Sequence, residues 1–209
     1  MNEMMDLVRA ADAVLFDCDG VLVDSEPTAL AAWQIVAETI GLGHRAHEAE
    51  GFVGKTDREL AENYRKESGM TVEQIEGINR QAFLRLAADG IPTYPDTMAL
   101  LDDLGDKPLA VGTNSARWRL DAVLEACGIV DRFAVSIAVD EVANPKPAPD
   151  IYLAAAEKLG VDPTRCVVIE DTPTGIASAR AAGCRVVALD RGYFSADQFA
   201  DADLVVLAK

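Results

Sequence analysis

A chain of 209 residues is long enough for one or two domains with a sizeable core. Its 50% hydrophobic and 26% charged residues exclude extended disorder, and no apolar run reaches the roughly 20 residues of a membrane span. Lys and Arg number 19 against 35 Asp and Glu, a formal charge of −16, so the field of the chain repels nucleic acid and anionic membrane surfaces. A small anionic ligand is repelled as well unless a metal ion or local cations reverse the sign. The N-terminal stretch, with Glu3, Asp6 and Asp12 against Arg9, has the wrong charge for a signal or transit peptide, and the expected location is the cytoplasm. Cys18, Cys127, Cys166 and Cys184 stand singly, with no C-x-x-C and only His44 and His47 as imidazoles. They read as small hydrophobes in a reducing compartment. Nothing in the composition requires an oligomer, and a monomer fits it.

In chain order, AVLF at 13–16 reads as a first strand. From Val23 to about Pro92, 28–40, 57–68 and 72–88 carry helical periodicity without a convincing strand. An insertion of about 70 residues is too long for a connection and reads as a small helical bundle. Strand-length apolar runs then alternate with helical patterns. A helix at 97–104 precedes LAVG at 109–112, and one at 116–127, stopped by Gly128, precedes AVSIAV at 134–139. A helix at 150–159, stopped by Gly160, precedes CVVI at 166–169, one at 175–182, stopped by Gly183, precedes RVVAL at 185–189, and DLVVL follows at 203–207. Such alternation predicts an α/β fold, a doubly wound parallel sheet built from right-handed crossovers. The expected core domain is 1–22 with 93–209, and the inserted helical domain is 23–92.

Chemistry-bearing residues fall at the ends of the predicted strands, where doubly wound sheets bind ligands. Asp17 and Asp19, in VLFDCDGVLVDSE, project to one side of an extended segment. Two carboxylates so placed repel by up to about 4 kcal/mol at about 4 Å and an effective dielectric near 20. A turn before Gly20 explains the pair without function; a calcium loop does not, because Gly stands fourth and Thr28 replaces the closing Glu. Glu170 and Asp171 end CVVIE, where Asp171 equally fits a helix cap. Parallel strands would bring all four acids to one edge, and hard oxygens without His or Cys select Mg²⁺ over zinc. Thr113-Asn114-Ser115 opens a helix and suits either a phosphate cradle or an N-cap. Lys146, between Pro145 and Pro147, is either a loop charge or a cation at the same edge. Four carboxylates with one lysine leave −3, and a divalent cation brings this to −1, so a phosphate ester enters only with metal bound.

The series D-x-D-G, T-N-S, K-P-x-P-D and E-D, with a helical insertion after the first, resembles the haloacid dehalogenase superfamily in its β-phosphoglucomutase-like phosphatase branch, over nearly the whole chain. The resemblance implies Asp17 as nucleophile and Mg²⁺ ligand, and Asp19 as general acid/base whose main-chain carbonyl also binds Mg²⁺. It implies Asp171 as a metal ligand and Glu170 as a ligand or a partner of the ligands. Thr113 and Asn114 would bind the phosphoryl group and Lys146 would neutralise the charge that develops. An acid at position 19 points to ester substrates. The insertion resembles the family's mobile cap, with Lys55 and Arg58 in FVGKTDREL as candidate substrate contacts; a solvated turn explains them equally. Trp33 and Trp118 read as packing residues. The expected activity is a Mg²⁺-dependent phosphatase of a small phosphorylated metabolite such as a sugar phosphate. A phosphomutase with the same aspartyl phosphate is the alternative. A signalling or binding domain is the remaining one, although its phosphorylated Asp would stand where Thr113 does.

Overall fold

Apolar runs that lack polar alternation are suited to strands covered on both faces, and the central ones take that form. In the computed structural model, which describes residues 2–45 and 57–208, the strands are β1 (Ala13–Phe16), β2 (Leu109–Gly112), β3 (Val135–Ile137), β4 (Cys166–Glu170), β5 (Arg185–Asp190) and β6 (Leu204–Leu207). They form one parallel sheet in the order β3-β2-β1-β4-β5-β6. β1, β2 and β4 are buried along their whole length, whereas β6, at an edge, alternates half-buried and exposed residues. The helices are α1 (Asn2–Ala10), α2 (Glu26–Thr39), α3 (Asp57–Ser68), α4 (Val72–Ala87), α5 (Pro95–Leu104), α6 (Arg117–Ala126), α7 (Asp150–Leu159) and α8 (Pro173–Ala181). No helix among the described residues is long and apolar enough to cross a membrane.

The sheet order fixes where a ligand can sit. The chain runs outward from β1 through β2 to β3, then resumes at β4 on the other flank of β1. The carboxyl ends of β1 and β4 therefore diverge at the switch point of the topology, where open α/β sheets hold their ligands. Beneath that edge, Leu15, Ala110, Val168 and Val186 pack with Ile151, Tyr152, Ala155 and Ile176 from α7 and α8 in a fully buried core.

Two local features depart from the sequence reading. α1 was not expected; its buried Met4 and Val8, four residues apart, lie within a charged stretch. The Lys107 ammonium binds the carbonyls at its end, Arg9 O and Ala11 O, where a cation complements the helix dipole. The apolar run 134–139 gives only three strand residues, because Glu141 Oε2 accepts the Ala138 N–H at 2.8 Å and the chain turns into a 3-10 segment, Val139–Glu141.

The chain divides into two compact units, one of residues 1–24 and 92–209, the other of 25–91. In the first, Val23 and Thr93 bridge antiparallel, Asp24 N donates to Pro92 O at 2.8 Å and Tyr94 N to Leu22 O at 3.1 Å, so both connecting segments leave the sheet unit side by side. In the second, Trp33, Val36 and Ala37 of α2, Leu60, Ala61 and Tyr64 of α3, and Val72 and Ile75 of α4 form a core of their own. Trp33 Nε1 donates to Asp57 Oδ1 at 3.0 Å, tying α2 to the start of α3, and Thr71 with Gln74 forms a reciprocal capping box on α4.

Candidate active site

Asp17 is the first residue beyond β1, held by its N–H to Ile169 O of β4 at 2.9 Å. Glu170 ends β4 and Asp171 follows it, so register alone sets these carboxyls side by side at the switch point. Oxygens of Asp17, Glu170 and Asp171 lie within 4.8 Å of one another, all three residues buried. The helix-cap alternative for Asp171 does not hold, because Thr172 caps α8 by accepting the Gly175 N–H at 3.0 Å.

Lys146 is buried at the centre of this group. Its ammonium reaches Asp17 Oδ1 at 2.5 Å, Glu170 Oε1 at 2.7 Å, Tyr152 OH at 2.8 Å and Gly112 O at 2.9 Å, which excludes the loop-charge alternative. Tyr152 OH donates in turn to Glu170 Oε1 at 2.9 Å. Glu170 Oε2 accepts from Asp171 N at 2.9 Å and from Thr172 N and Oγ1 at 3.0 Å each. Five donors thus converge on Glu170. Burial alone would raise its pKa, but the charge and hydrogen bond of Lys146, with Thr172 N and Tyr152 OH, hold it below the ordinary carboxylate value.

The other two acids are compensated less fully. Burial, reinforced by Glu170 and Asp19 and opposed by Lys146, pushes Asp17 up to about 7. Burial next to Glu170 and Asp17 pushes Asp171 up to about 9. Asp171 Oδ1 is buried without a hydrogen-bond partner, a rare and costly condition for a carboxylate. Gly20, at φ +81°, makes room for this carboxylate, since a Cβ there would overlap it. A site that forces carboxylates together, raises two of them and leaves an oxygen unsatisfied fits a cation. Its all-carboxylate donor set fits a hard one such as Mg²⁺.

Asp19 lies two residues on, half-buried. Ser115 Oγ donates to its Oδ2 at 2.8 Å, and the Arg119 guanidinium stands 3.9 Å from Oδ1. The loop carrying it is anchored from β5: Arg191, just past the strand and with its side chain covered, donates to Gly20 O at 3.0 Å, pairs both oxygens of Asp96 at 2.8 and 3.1 Å and stacks 3.7 Å above the Tyr94 ring. Beyond β2, buried Thr113 accepts the Ser115 N–H on its hydroxyl at 3.0 Å. Exposed Asn114 turns its carboxamide to the Lys146 main chain, accepting from N at 2.9 Å and donating to O at 3.3 Å. Neither Asn114 nor Ser115 caps α6, whose N-cap is Ala116. Arg58 is exposed in the first turn of α3, and Lys55 lies outside the described residues.

The sequence reading thus named Asp17, Asp19, Thr113, Asn114, Lys146, Glu170 and Asp171, all of which lie at this end of the sheet. It missed Tyr152, Thr172, Arg119 and Arg191 as participants, and it weighed Ser115 as part of a phosphate cradle or an N-cap, not as the partner of Asp19. Tyr152 carries a signal of sorts, standing in K-P-A-P-D-I-Y on the first turn of the helix that follows Lys146. Arg191, a lone arginine just past an apolar strand, carries none.

Known proteins are similar to this chain in sequence and in fold. The chain is 32% identical over 176 residues to fructose-1-phosphate phosphatase YqaB of Escherichia coli, covering 83% of this chain and 94% of that protein. CbbY from Rhodobacter sphaeroides, solved in complex with phosphate and, as a mutant, with xylulose-(1,5)bisphosphate, superposes with a TM-score of 0.80 at 27% identity, covering 94% of this chain and 93% of CbbY. β-Phosphoglucomutase from Clostridium difficile has the same fold, with a TM-score of 0.77 at 24% identity over 95% of this chain and 91% of its own. The model of the haloacid dehalogenase-like hydrolases matches residues 11–183, and with the acidic cluster at the β1 and β4 ends this chain belongs to that family.

Proposed function

We propose that the protein is a Mg²⁺-dependent phosphatase that hydrolyses a small phosphorylated metabolite, a sugar phosphate by analogy with YqaB, through an aspartyl phosphate on Asp17. The observation that carries the reading is the buried group of Asp17, Asp171 and Glu170 around Lys146 at the switch point of the sheet. Asp17 and Asp171, with the Asp19 main-chain carbonyl, would hold Mg²⁺, which supplies positive charge for the phosphoryl oxygens and keeps both carboxylates ionised. Glu170, whose oxygens already receive five donors, acts by holding Lys146 and the start of α8.

In the first half-reaction a carboxylate oxygen of Asp17 bonds to phosphorus while the ester P–O bond breaks. Asp19, oriented by Ser115, acts as the general acid and delivers the proton that the leaving alcohol takes up. In the second, Asp19 takes a proton from water as the water oxygen bonds to phosphorus and the Asp17–phosphoryl bond breaks, releasing inorganic phosphate. Thr113 and the main chain at Asn114 cradle the phosphoryl oxygens, and Lys146 offsets the charge that develops between them and Asp17.

Release of inorganic phosphate from p-nitrophenyl phosphate and a panel of hexose phosphates, with and without Mg²⁺, tests this reading. Turnover is expected only with the metal, and Asp17→Asn is expected to abolish it. Isomerisation of a hexose phosphate with little phosphate released would replace the phosphatase by a phosphomutase. Absence of both activities in the wild type would remove the reading.

A further inference from the structure

We propose that Asn114 is a positioning residue that acts on the reacting centre through the main chain of Lys146, an inference that rests on the phosphatase reading. Lys146 stands between Pro145 and Pro147. Neither proline has an N–H, so the Lys146 amide is the one main-chain donor of this three-residue run. Asn114 Oδ1 takes that N–H at 2.9 Å, and Asn114 Nδ2 donates to the carbonyl of the same residue at 3.3 Å. Pairing both main-chain groups of one residue, its N–H and its C=O, needs an acceptor and a donor fixed in one plane, which a carboxamide has. An aspartate in its place lacks the donor.

The two ends of Lys146 are thereby fixed by different parts of the fold. The ammonium is held by Asp17, Glu170, Tyr152 and Gly112 O, and the main chain by the residue next to Thr113. With both carboxamide groups engaged, the side chain of Asn114 is a strut between β2 and the lysine loop, which leaves the residue's main chain for the phosphoryl role expected from the sequence. Thr113, Asn114 and Ser115 then form one short gauge. The first cradles the phosphoryl group, the second sets Lys146, and the third sets Asp19 through its 2.8 Å hydrogen bond. Displacement of a catalytic charge by about 1 Å can cost up to about 100-fold in rate, so losing the strut is felt at Asp17 although Asn114 does not touch it.

The test is Asn114→Ala in the full chain, an exposed position where the fold is expected to survive. Steady-state turnover of p-nitrophenyl phosphate with Mg²⁺, inhibition by inorganic phosphate, and amide hydrogen exchange at Lys146 by NMR are measured. We expect kcat to fall about tenfold or more, KM and phosphate inhibition to stay within about twofold, and the Lys146 amide to exchange faster. Unchanged kcat, or an unchanged Lys146 amide, overturns the proposal. So does weakened phosphate inhibition with kcat retained, which would mean that the side chain binds phosphate directly. An inactive wild type would instead defeat the phosphatase reading, and the exchange measurement would still report on the strut.

Discussion

Replacing Gly175 by alanine adds one methyl group to the first turn of α8, and the structure gives it nowhere to go. A Cβ at that position would overlap Oε1, Cδ and Oε2 of Glu170. The carboxylate cannot step aside cheaply, because Lys146, Tyr152, Asp171 N, Thr172 N and Thr172 Oγ1 all hold it. Moving it separates a buried ion pair, a change that costs about 3–5 kcal/mol, against about 1 kcal/mol gained from alanine's helix propensity. The expected net loss is about 2–4 kcal/mol, and at about 2–4 °C per kcal/mol for a chain of this size Tm falls by on the order of 10 °C. Gly77, inside α4, is the matched control, since a Cβ there meets nothing within 4 Å. Gly77→Ala should stabilise by about 1 kcal/mol. Thermal unfolding of the two variants and the wild type reads both signs, and circular dichroism at 25 °C checks the fold. A Gly175→Ala protein as stable as the wild type would refute the claim that Glu170 is fixed where five donors place it.

Burial raises Asp17 to about 7 and Asp171 to about 9, from 3.8. Carboxyls raised on folding contribute stability that is complete below their unfolded value and lost as pH climbs through the folded ones. Without divalent cation, this pair should therefore lower Tm progressively between about pH 4 and pH 9. Mg²⁺ competes with the protons, so the Tm increment it gives should grow over the same interval, and an increment independent of pH would count against a site at Asp17 and Asp171. Ser115→Ala removes the donor to Asp19 Oδ2 and should lower kcat about tenfold without altering the Mg²⁺ requirement; unchanged kcat would free Asp19 of that partner. Thr172→Ala removes both the cap of α8 and a donor to Glu170, and should cost about 1–2 kcal/mol in denaturant unfolding. Thr172→Ser keeps both contacts and should be close to neutral; equal losses in the two variants would argue against the hydroxyl.

What the sequence revealed and what it hid divide along physical lines. Strands covered on both faces show as unbroken apolar runs, and AVLF, LAVG and CVVIE lie where they were expected because their burial is continuous. The acids at their ends were legible for the same reason: a carboxylate directly after a buried strand must emerge at the sheet edge. AVSIAV looked like a longer strand, but Glu141 takes the Ala138 N–H that a ladder would use, and a side chain competing for one amide leaves no mark in hydropathy. α1 was hidden because its buried residues, Met4 and Val8, are too few to stand out among charges. The clamps on the site were hidden for a third reason. Tyr152, Arg191 and the carboxamide of Asn114 act across the chain, at separations set by tertiary packing and not by local spacing.

The electrostatics of the site follow from the same separation of scales. A chain of formal charge −16 repels an anionic ester at long range, and that term is screened within about 8 Å at physiological ionic strength. Inside the site, screening fails and local balance decides. Lys146 has two carboxylate partners, Asp17 and Glu170, which leaves Asp171 with its buried, unpartnered oxygen. Gly20 is packed so closely against that carboxyl that a Cβ there would overlap it, and Arg191 holds the Gly20 carbonyl in place. The fold thus holds Asp171 in a position that destabilises the metal-free protein. Such an arrangement is intelligible where the missing partner is a cation that arrives from solution. The dependence of activity on Mg²⁺ and the dependence of stability on it should then share one origin, the carboxyl of Asp171. Replacing that residue with asparagine, which needs no counter-charge, should therefore raise the Tm of the metal-free protein while abolishing both the Mg²⁺-dependent Tm increment and turnover. If Asp171→Asn lowered that Tm, the carboxyl would be stabilised by groups already in the fold, and the case for a cation at this position would fail.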